Sequence, residues 1–378
     1  VADFLIRHRE SFLGSYGDRL SREQRSALQS ISTCRTEAMG GHRYACPCCS
    51  TDRFVWHSCN HRLCPRCGSE ETQKWVTKRL ESALEVDTYM VTFTLPAQLR
   101  FLCRYNADTF YRLFFACAAQ AIKDILADPR HLGGEVGFWG MLQTWTQNLR
   151  LHPHIHFMVP AVGLDKAGKI VQPKNPKWFV YGSVFASRLK THLLRRLKKE
   201  KLLEEDLLKE LRGIDWNCDV QNFGSGENAI KYLGQYVYTG PIGDSRILSS
   251  GADHIVISTK DRDTDETIPV RLDAREFVRR FLLHALPRGF QRVRYFGFLH
   301  CTSKKKLALV KDQLAALPDN KKGKSRKTPK SESSENKEAR AVHCPNCKEV
   351  MTWVGRKKRA PPKERSIPSI WIRRQRAA

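Results

Sequence analysis

No stretch of this 378-residue chain approaches the roughly 20 consecutive apolar residues that a membrane-spanning helix requires. The first residues, Val1-Ala2-Asp3-Phe4-Leu5, lack the charged start, long apolar core and small-residue cleavage site of a secretory signal. Acidic residues are also scarce: 39 Asp and Glu stand against 65 Lys and Arg, a net charge of +26. Such an excess calls for a polyanionic partner, and without a membrane segment nucleic acid leads over an anionic membrane surface. A phosphate-binding P-loop is missing as well. Gly323-Lys324-Ser325 lies in a charged stretch with no strand before it and no glycine five residues upstream. There is no internal repeat beyond a recurring C-P-x-C. The expectation is a cytoplasmic nucleic-acid protein that does not hydrolyse nucleotides.

Cysteine is plentiful, but its pattern argues against disulfides. The count is 13, an odd number, and six fall between Cys46 and Cys67. Two knuckles, Cys46-Pro47-Cys48-Cys49 and Cys64-Pro65-Arg66-Cys67, supply four soft ligands for a tetrahedral Zn2+. Cys46, Cys49, Cys64 and Cys67 are the favoured set, and the site is structural or a DNA-docking module. Cys34, His42 and Cys59 offer material for a second site, although Cys59 is read first as a small buried residue. Near the C-terminus His343, Cys344 and Cys347 form half a zinc site with no second pair after it.

Coarse periodicity gives the organisation. Residues 1–40 read as helical, 42–68 as the cysteine knot and 70–85 as a helix. Asp87 to Leu95 alternates β-branched and aromatic residues as a strand does, and Pro96 stops it. A helix at 104–127, neighbouring strands at 137–147 and 153–162, and one long helix at 184–211 follow. A strand at 215–223, a helix at 227–238 and another at 274–286 complete the series. The expected class is α+β, with a central antiparallel sheet flanked by helices and preceded by a small Cys-rich zinc-binding domain. The expected domains are 1–86, helical and zinc-binding; 87–300, catalytic; 301–341, a basic disordered linker; and 342–378, a basic tail with the half knuckle. From residue 319 onward there are 18 basic against 6 acidic residues, the imbalance of a tail.

Catalytic chemistry centres on Leu151-His152-Pro153-His154-Ile155-His156-Phe157. In a strand His154 and His156 share one face and Ile155 takes the other. A single histidine on an apolar strand is usually a satisfied core residue. Two on one face, in a strongly basic protein, form a preorganised pair of ligands for a divalent ion, Mg2+ or Mn2+. Gln147 is taken as the third ligand, with His152 and Gln235 as the other candidates. Downstream, Tyr232 and Tyr236 lie four residues apart, on one face of a helix. Aromatics at that spacing more often pack than react. Beside a divalent ion that polarises a phosphate, their phenols become candidate nucleophiles. Tyr238 falls on another face and is read as packing.

Six ordered motifs carry a resemblance. They are C-R-T-x-x-x-G-G-H (Cys34 to His42), the C-P-x-C knot, V-T-F-T-L-P (Val91 to Pro96), H-P-H-I-H (His152 to His156), Y-L-G-Q-Y (Tyr232 to Tyr236) and R-R-F-L-L-H-A-L-P-R-G-F (Arg279 to Phe290). Over roughly residues 20–300 the chain resembles the rolling-circle insertion-sequence transposases of the insertion-sequence ninety-one family, the two-tyrosine type of HUH single-strand nuclease. The resemblance implies a zinc-binding domain, an HUH nuclease domain, and tyrosine attack on single-stranded transposon ends. The products would be a 5′-phosphotyrosine and a free 3′-OH. It assigns His154 and His156 as metal ligands and Tyr232 and Tyr236 as the nucleophiles, with unwinding left to a host helicase or supercoiling. A plasmid relaxase or replication initiator of the same chemistry is the alternative within the class. A non-catalytic zinc-dependent nucleic-acid binding protein is the alternative outside it.

Overall fold

The computed structural model describes residues 1–173, 180–261, 264, 266–317 and 341–359. The chain divides into two compact units of non-contiguous sequence, Val1–Ser32 with Asn60–Arg326 and Thr33–Cys59 with Lys327–Ala378.

The larger unit is built on a five-stranded sheet. In chain order its strands are β1 (Asp87–Thr94), β2 (Phe138–Trp145), β3 (Leu151–Pro160), β4 (Asn217–Ser225) and β5 (Val293–Phe296), arranged β5-β2-β3-β1-β4 with every neighbour antiparallel. Because side chains alternate, the inner strands bury both faces. Val91 and Phe93 of β1, Leu142 of β2, and Ile155, Phe157 and Val159 of β3 point to one side. There they pack on helices α2 (Ala107–Ala127) and α3 (Gly182–Lys199). Met90, Trp139, Met141 and Met158 point to the other side, where they meet helix α4 (Gly226–Val237) through Ala229, Ile230, Leu233 and Val237. Helix α1 (Ser69–Leu80) adds Trp75, Val76 and Leu80 to that second layer. A smaller three-stranded sheet, Ile247–Ser250, His254–Lys260 and Thr267–Asp273, leads into helix Ala274–Leu282, whose first turn is capped by Asp273. The result is an α+β fold with antiparallel sheets flanked by helices. Among the described residues no helix is long and apolar enough to cross a membrane.

The smaller unit is a three-stranded antiparallel sheet with Gly41–Ala45 between Asp52–Trp56 and Thr352–Lys357. Among the described residues Cys46, Cys344 and Met351 form a small buried cluster on this sheet, with Tyr44 and Val342 packed beside them.

Several elements differ from the sequence reading. The single helix expected over 184–211 is two, Gly182–Lys199 and Glu205–Gly213. Lys201 takes a left-handed φ of 53° and Leu202 N closes the turn on Leu197 O, which brings Leu202, Leu203 and Leu207 to the core. The cysteine knot holds a β-hairpin that short, polar-interrupted strands conceal from periodicity. The linker expected from residue 301 begins with helix Lys304–Ala315, anchored by Val310 and Leu314. The remainder of that linker, 318–340, and the last part of the tail, 360–378, lie outside the described residues.

Candidate active site and metal centres

His154 and His156 sit on β3, on the face that α4 covers. Strand register establishes this: Met141 lies opposite His156 on β2, Thr92 opposite His156 on β1, and Met141 packs under α4. The two imidazoles stand edge to face with centroids 4.8 Å apart. His154 is 9% exposed, and its Nδ1 lies 2.7 Å from the carbonyl oxygen of His152. A carbonyl only accepts, so Nδ1 carries the proton and Nε2 keeps its lone pair for a ligand role. His156 Nδ1 is 2.9 Å from Thr92 Oγ1. Burial, with His154 and Arg292 nearby, pulls His156 down to about 3, so its ring is neutral near pH 7 and able to donate a lone pair.

The third position differs from expectation. Gln147 lies beyond the end of β2, exposed, and its Oε1 accepts from the backbone N of Lys260 at 2.5 Å. Directly opposite His154, on β2, is Gln143. The connecting turn explains the displacement: Leu149 N bonds Thr146 O and Thr146 N bonds Arg150 O, so the hairpin pivots near residue 148. From that pivot the ladder runs through Trp145 opposite Leu151, and a one-residue register shift between Gln143 and Trp145 then pairs residue 154 with 143. Of the other candidates, His152 is 5.3 Å from His154 ring to ring and within 3.3 Å of Arg100 Nη2. Gln235 is on the exposed side of α4.

Helix α4 begins at Ser225, whose Oγ accepts from Asn228 N. Its buried stripe is Ala229, Ile230, Leu233, Gly234 and Val237, which leaves Tyr232 and Tyr236 together on the flank. Their rings are 5.9 Å apart, and Tyr232 also leans on Phe223 at 4.8 Å. Tyr236 is half-buried against the methionine cluster, whereas Tyr232 is 40% exposed. Burial and the neighbouring Tyr236 raise the Tyr232 phenol above its ordinary value, so it needs a positive centre to ionise. Gly234 explains the middle of Y-L-G-Q-Y: a Cβ there would come within 2.5 Å of Val76 Cγ2, so glycine permits α1 and α4 to touch.

Two arginines that the sequence reading did not single out hold this region. Arg246 donates to Ser258 O and to Gln147 O, and burial lowers its guanidinium while the nearby Tyr236 phenol works the other way. Arg292 is fully buried. Its Nε donates to Leu142 O at 3.0 Å and its Nη1 to Val237 O and Thr239 O, at the C-terminal end of α4. No local signal marks such a residue, because its partners are carbonyls remote in sequence.

The favoured zinc set also regroups. Cys46 and Cys49 gather with Cys344 and Cys347, all four ligand atoms within 4.8 Å of one another. Cys46 Sγ is 3.4 Å from Cys347 Sγ, and Cys49 Sγ is 3.4 Å and 3.7 Å from the sulfurs of Cys344 and Cys347. A zinc tetrahedron with bonds near 2.3 Å has sulfurs about 3.8 Å apart, so the donor set fits. The two knuckles share one geometry. Cys46 N bonds Thr51 O as Cys344 N bonds Glu349 O, and Ser50 and Lys348, each following its knuckle, have φ of 56° and 64°. The half site at Cys344 and Cys347 is therefore completed by the first knuckle. Cys64 and Cys67 belong to the larger unit, and Cys34 and Cys59 to the smaller one. The cluster of Cys46, Cys49, Cys344 and Cys347 suggests structural Zn2+.

Comparison with known proteins agrees with this architecture. Residues 137–306 match the family described as "Putative transposase", and residues 4–95 match the "Transposase zinc-binding domain". The chain is 34% identical over 334 residues to "Putative transposase y4qJ" of Sinorhizobium fredii, covering 83% of this chain and 84% of the relative. It is 27% identical over 285 residues to "Transposase for insertion sequence element IS801" of Pseudomonas savastanoi pv. phaseolicola, covering 70% and 68%. No solved structure matches. With the zinc-binding region and the transposase region matched in order, and a relative above 30% identity along most of both chains, this protein belongs to the IS91/IS801 family of zinc-binding transposases.

Proposed function

We propose that this transposase is an HUH-type enzyme that nicks and joins single-stranded DNA through Tyr232 and Tyr236, as rolling-circle transposition requires. The observation that carries the reading is the shared sheet face: the His154/His156 pair and the tyrosine helix lie on the same side of β3. His154, His156 and Gln143 would hold a divalent ion, Mg2+ or Mn2+, with Gln143 replacing Gln147 as third ligand on strand register. When bound, such an ion polarises the scissile phosphate and offsets its developing charge.

The chain's own residues supply the rest. A tyrosine phenol gives up its proton and its Oη attacks phosphorus. The P–O3′ bond breaks, and the leaving oxygen takes up a proton to become a free 3′-OH. The 5′-phosphotyrosine conserves the phosphodiester bond, so joining to a second 3′-OH reverses the step without nucleotide hydrolysis. Two phenols 5.9 Å apart ring to ring suit two successive covalent ends.

The test is adduct formation on single-stranded transposon-end DNA, resolved on denaturing gels. The wild type should give a covalent protein–DNA band that Tyr232→Phe with Tyr236→Phe abolishes. Persistence of the band in the double variant refutes the nucleophile assignment. Divalent-dependent cleavage that survives His154→Ala with His156→Ala refutes the metal assignment.

A further inference from the structure

The transposition chemistry leaves one feature of the larger unit unexplained: a buried guanidinium that lies over the Trp145 ring at 4.7 Å but has no carboxylate beside it. Arg292 is 8% exposed, and its hydrogen-bond acceptors are three backbone carbonyls, none of which carries a formal charge. Its Nη2 is buried with no hydrogen-bond partner among the described residues. A buried guanidinium normally has a carboxylate beside it, because desolvating an unpaired charge is costly. Here the neighbouring charge has the same sign. Arg62, itself half-buried and donating to Phe290 O at 2.8 Å, is near enough to depress Arg292, whose guanidinium burial already pulls down to about 9. Both remain cationic near pH 7.

Arg62 and Arg292 are both lining residues of one open groove of about 860 Å³. Lys78, Arg79 and Arg294 face it too. Its one carboxylate, Glu71, is within 3.2 Å of Lys74 Nζ. Aromatic surface accompanies the charge: Tyr238, 39% exposed, and Tyr295, whose ring lies under the Arg79 guanidinium at 4.9 Å, line the same groove. Cations interleaved with accessible rings are the surface that takes a single-stranded nucleic acid, the cations on phosphates and the rings on bases. A bidentate guanidinium pair suits a phosphate better than a carboxylate-free protein interior suits two guanidiniums.

We propose that Arg62 and Arg292 form a phosphate-binding site that grips the cut strand at a phosphodiester next to the scissile one. The inference rests on the single-strand nuclease reading. Arg292 holds the carbonyl of Val237, the residue after Tyr236, so a phosphate drawn into the groove by this pair of cations is registered against the nucleophile helix. The same contact makes Arg292 a positioning residue for that helix.

The test is equilibrium binding of a fluorescein-labelled oligothymidylate by anisotropy across a salt series. The full chain carrying Tyr232→Phe and Tyr236→Phe is used, so that covalent chemistry does not enter. In this background Arg62→Gln should weaken binding roughly tenfold or more and lower the log–log salt slope by about 0.7, the loss of one single-strand phosphate contact. Arg292→Gln should do the same, and Arg62→Lys should keep the slope. A purely structural Arg292 would not change the slope. If Arg292→Gln does not fold, Arg62→Gln decides alone. Unchanged affinity and slope in Arg62→Gln overturn the site, even in a protein whose tyrosines form the adduct. A slope loss in a protein that forms no adduct sustains the site and refutes the nuclease instead.

Discussion

Removing one thiol from the C-terminal knuckle should detach a whole strand. Strand Thr352–Lys357 has six residues, and ordering their backbone costs about 1–2 kcal/mol each, in all about 6–12 kcal/mol. Its five paired positions with Gly41–Ala45 return about 1 kcal/mol per net hydrogen bond. Burying Met351 returns about 2 kcal/mol more. These contributions leave the strand between near balance and about 5 kcal/mol unfavourable, since the buried cluster it joins is small, Cys46, Cys344 and Met351 among the described residues. A structural zinc contributes about 10–16 kcal/mol at neutral pH, so the metal decides whether the strand joins. Cys344→Ser should therefore lower zinc content by one ion per chain and abolish amide-exchange protection over 352–357. The five-stranded sheet, which has its own core, should keep its protection. Zinc content is read by metal analysis after gel filtration, and protection by hydrogen–deuterium exchange with mass spectrometry. Unchanged zinc content, or a strand still protected in the variant, would refute the reasoning.

Three further outcomes follow from the same geometry. Gln143→Ala should raise the Mn2+ concentration for half-maximal cleavage at least about tenfold while Gln147→Ala leaves it near wild type; the reverse ranking would return the third-ligand role to Gln147. Gly234→Ala should destabilise the larger unit by about 1–3 kcal/mol, because the added Cβ would stand 2.5 Å from Val76 Cγ2; an unchanged thermal midpoint would mean that α1 and α4 do not need that close approach. Stability should fall as pH drops from 6.5 toward 4, since fully buried His284 is pulled down to about 4 by burial and the unfolded chain therefore binds the extra proton. His284 alone accounts for roughly 3 kcal/mol over that window, and urea titrations showing flat stability there would contradict its buried, neutral state.

The site is legible in sequence to the extent that its chemistry is local. Alternation places His154 and His156 on one strand face, and i, i+4 spacing places Tyr232 and Tyr236 on one helix flank. Both are properties of a few consecutive residues. Gln147 suggests itself because it ends the preceding strand, but pairing across a hairpin depends on where the turn pivots. The turn that contains left-handed Leu149, with φ of 61°, and the register shift between Gln143 and Trp145 together put Gln143 opposite His154. The helix break at Lys201 is hidden for a related reason: the lysine- and leucine-rich sequence favours helix on both sides, and the demand that Leu202 and Leu207 reach the core overrides it.

By itself, then, the sequence determined the excess of positive charge, the α+β alternation, the thiol knuckles and the shared faces of the histidine and tyrosine pairs. The tertiary structure alone decided which groups share a site. Cys49 meets Cys344 across 295 residues, Gln143 stands opposite His154, and Arg292 reaches the end of the tyrosine helix 55 residues earlier. Side-chain periodicity propagates over a turn or a strand, whereas a ligand set or a buried charge is completed by whatever the folded backbone brings within a few ångströms.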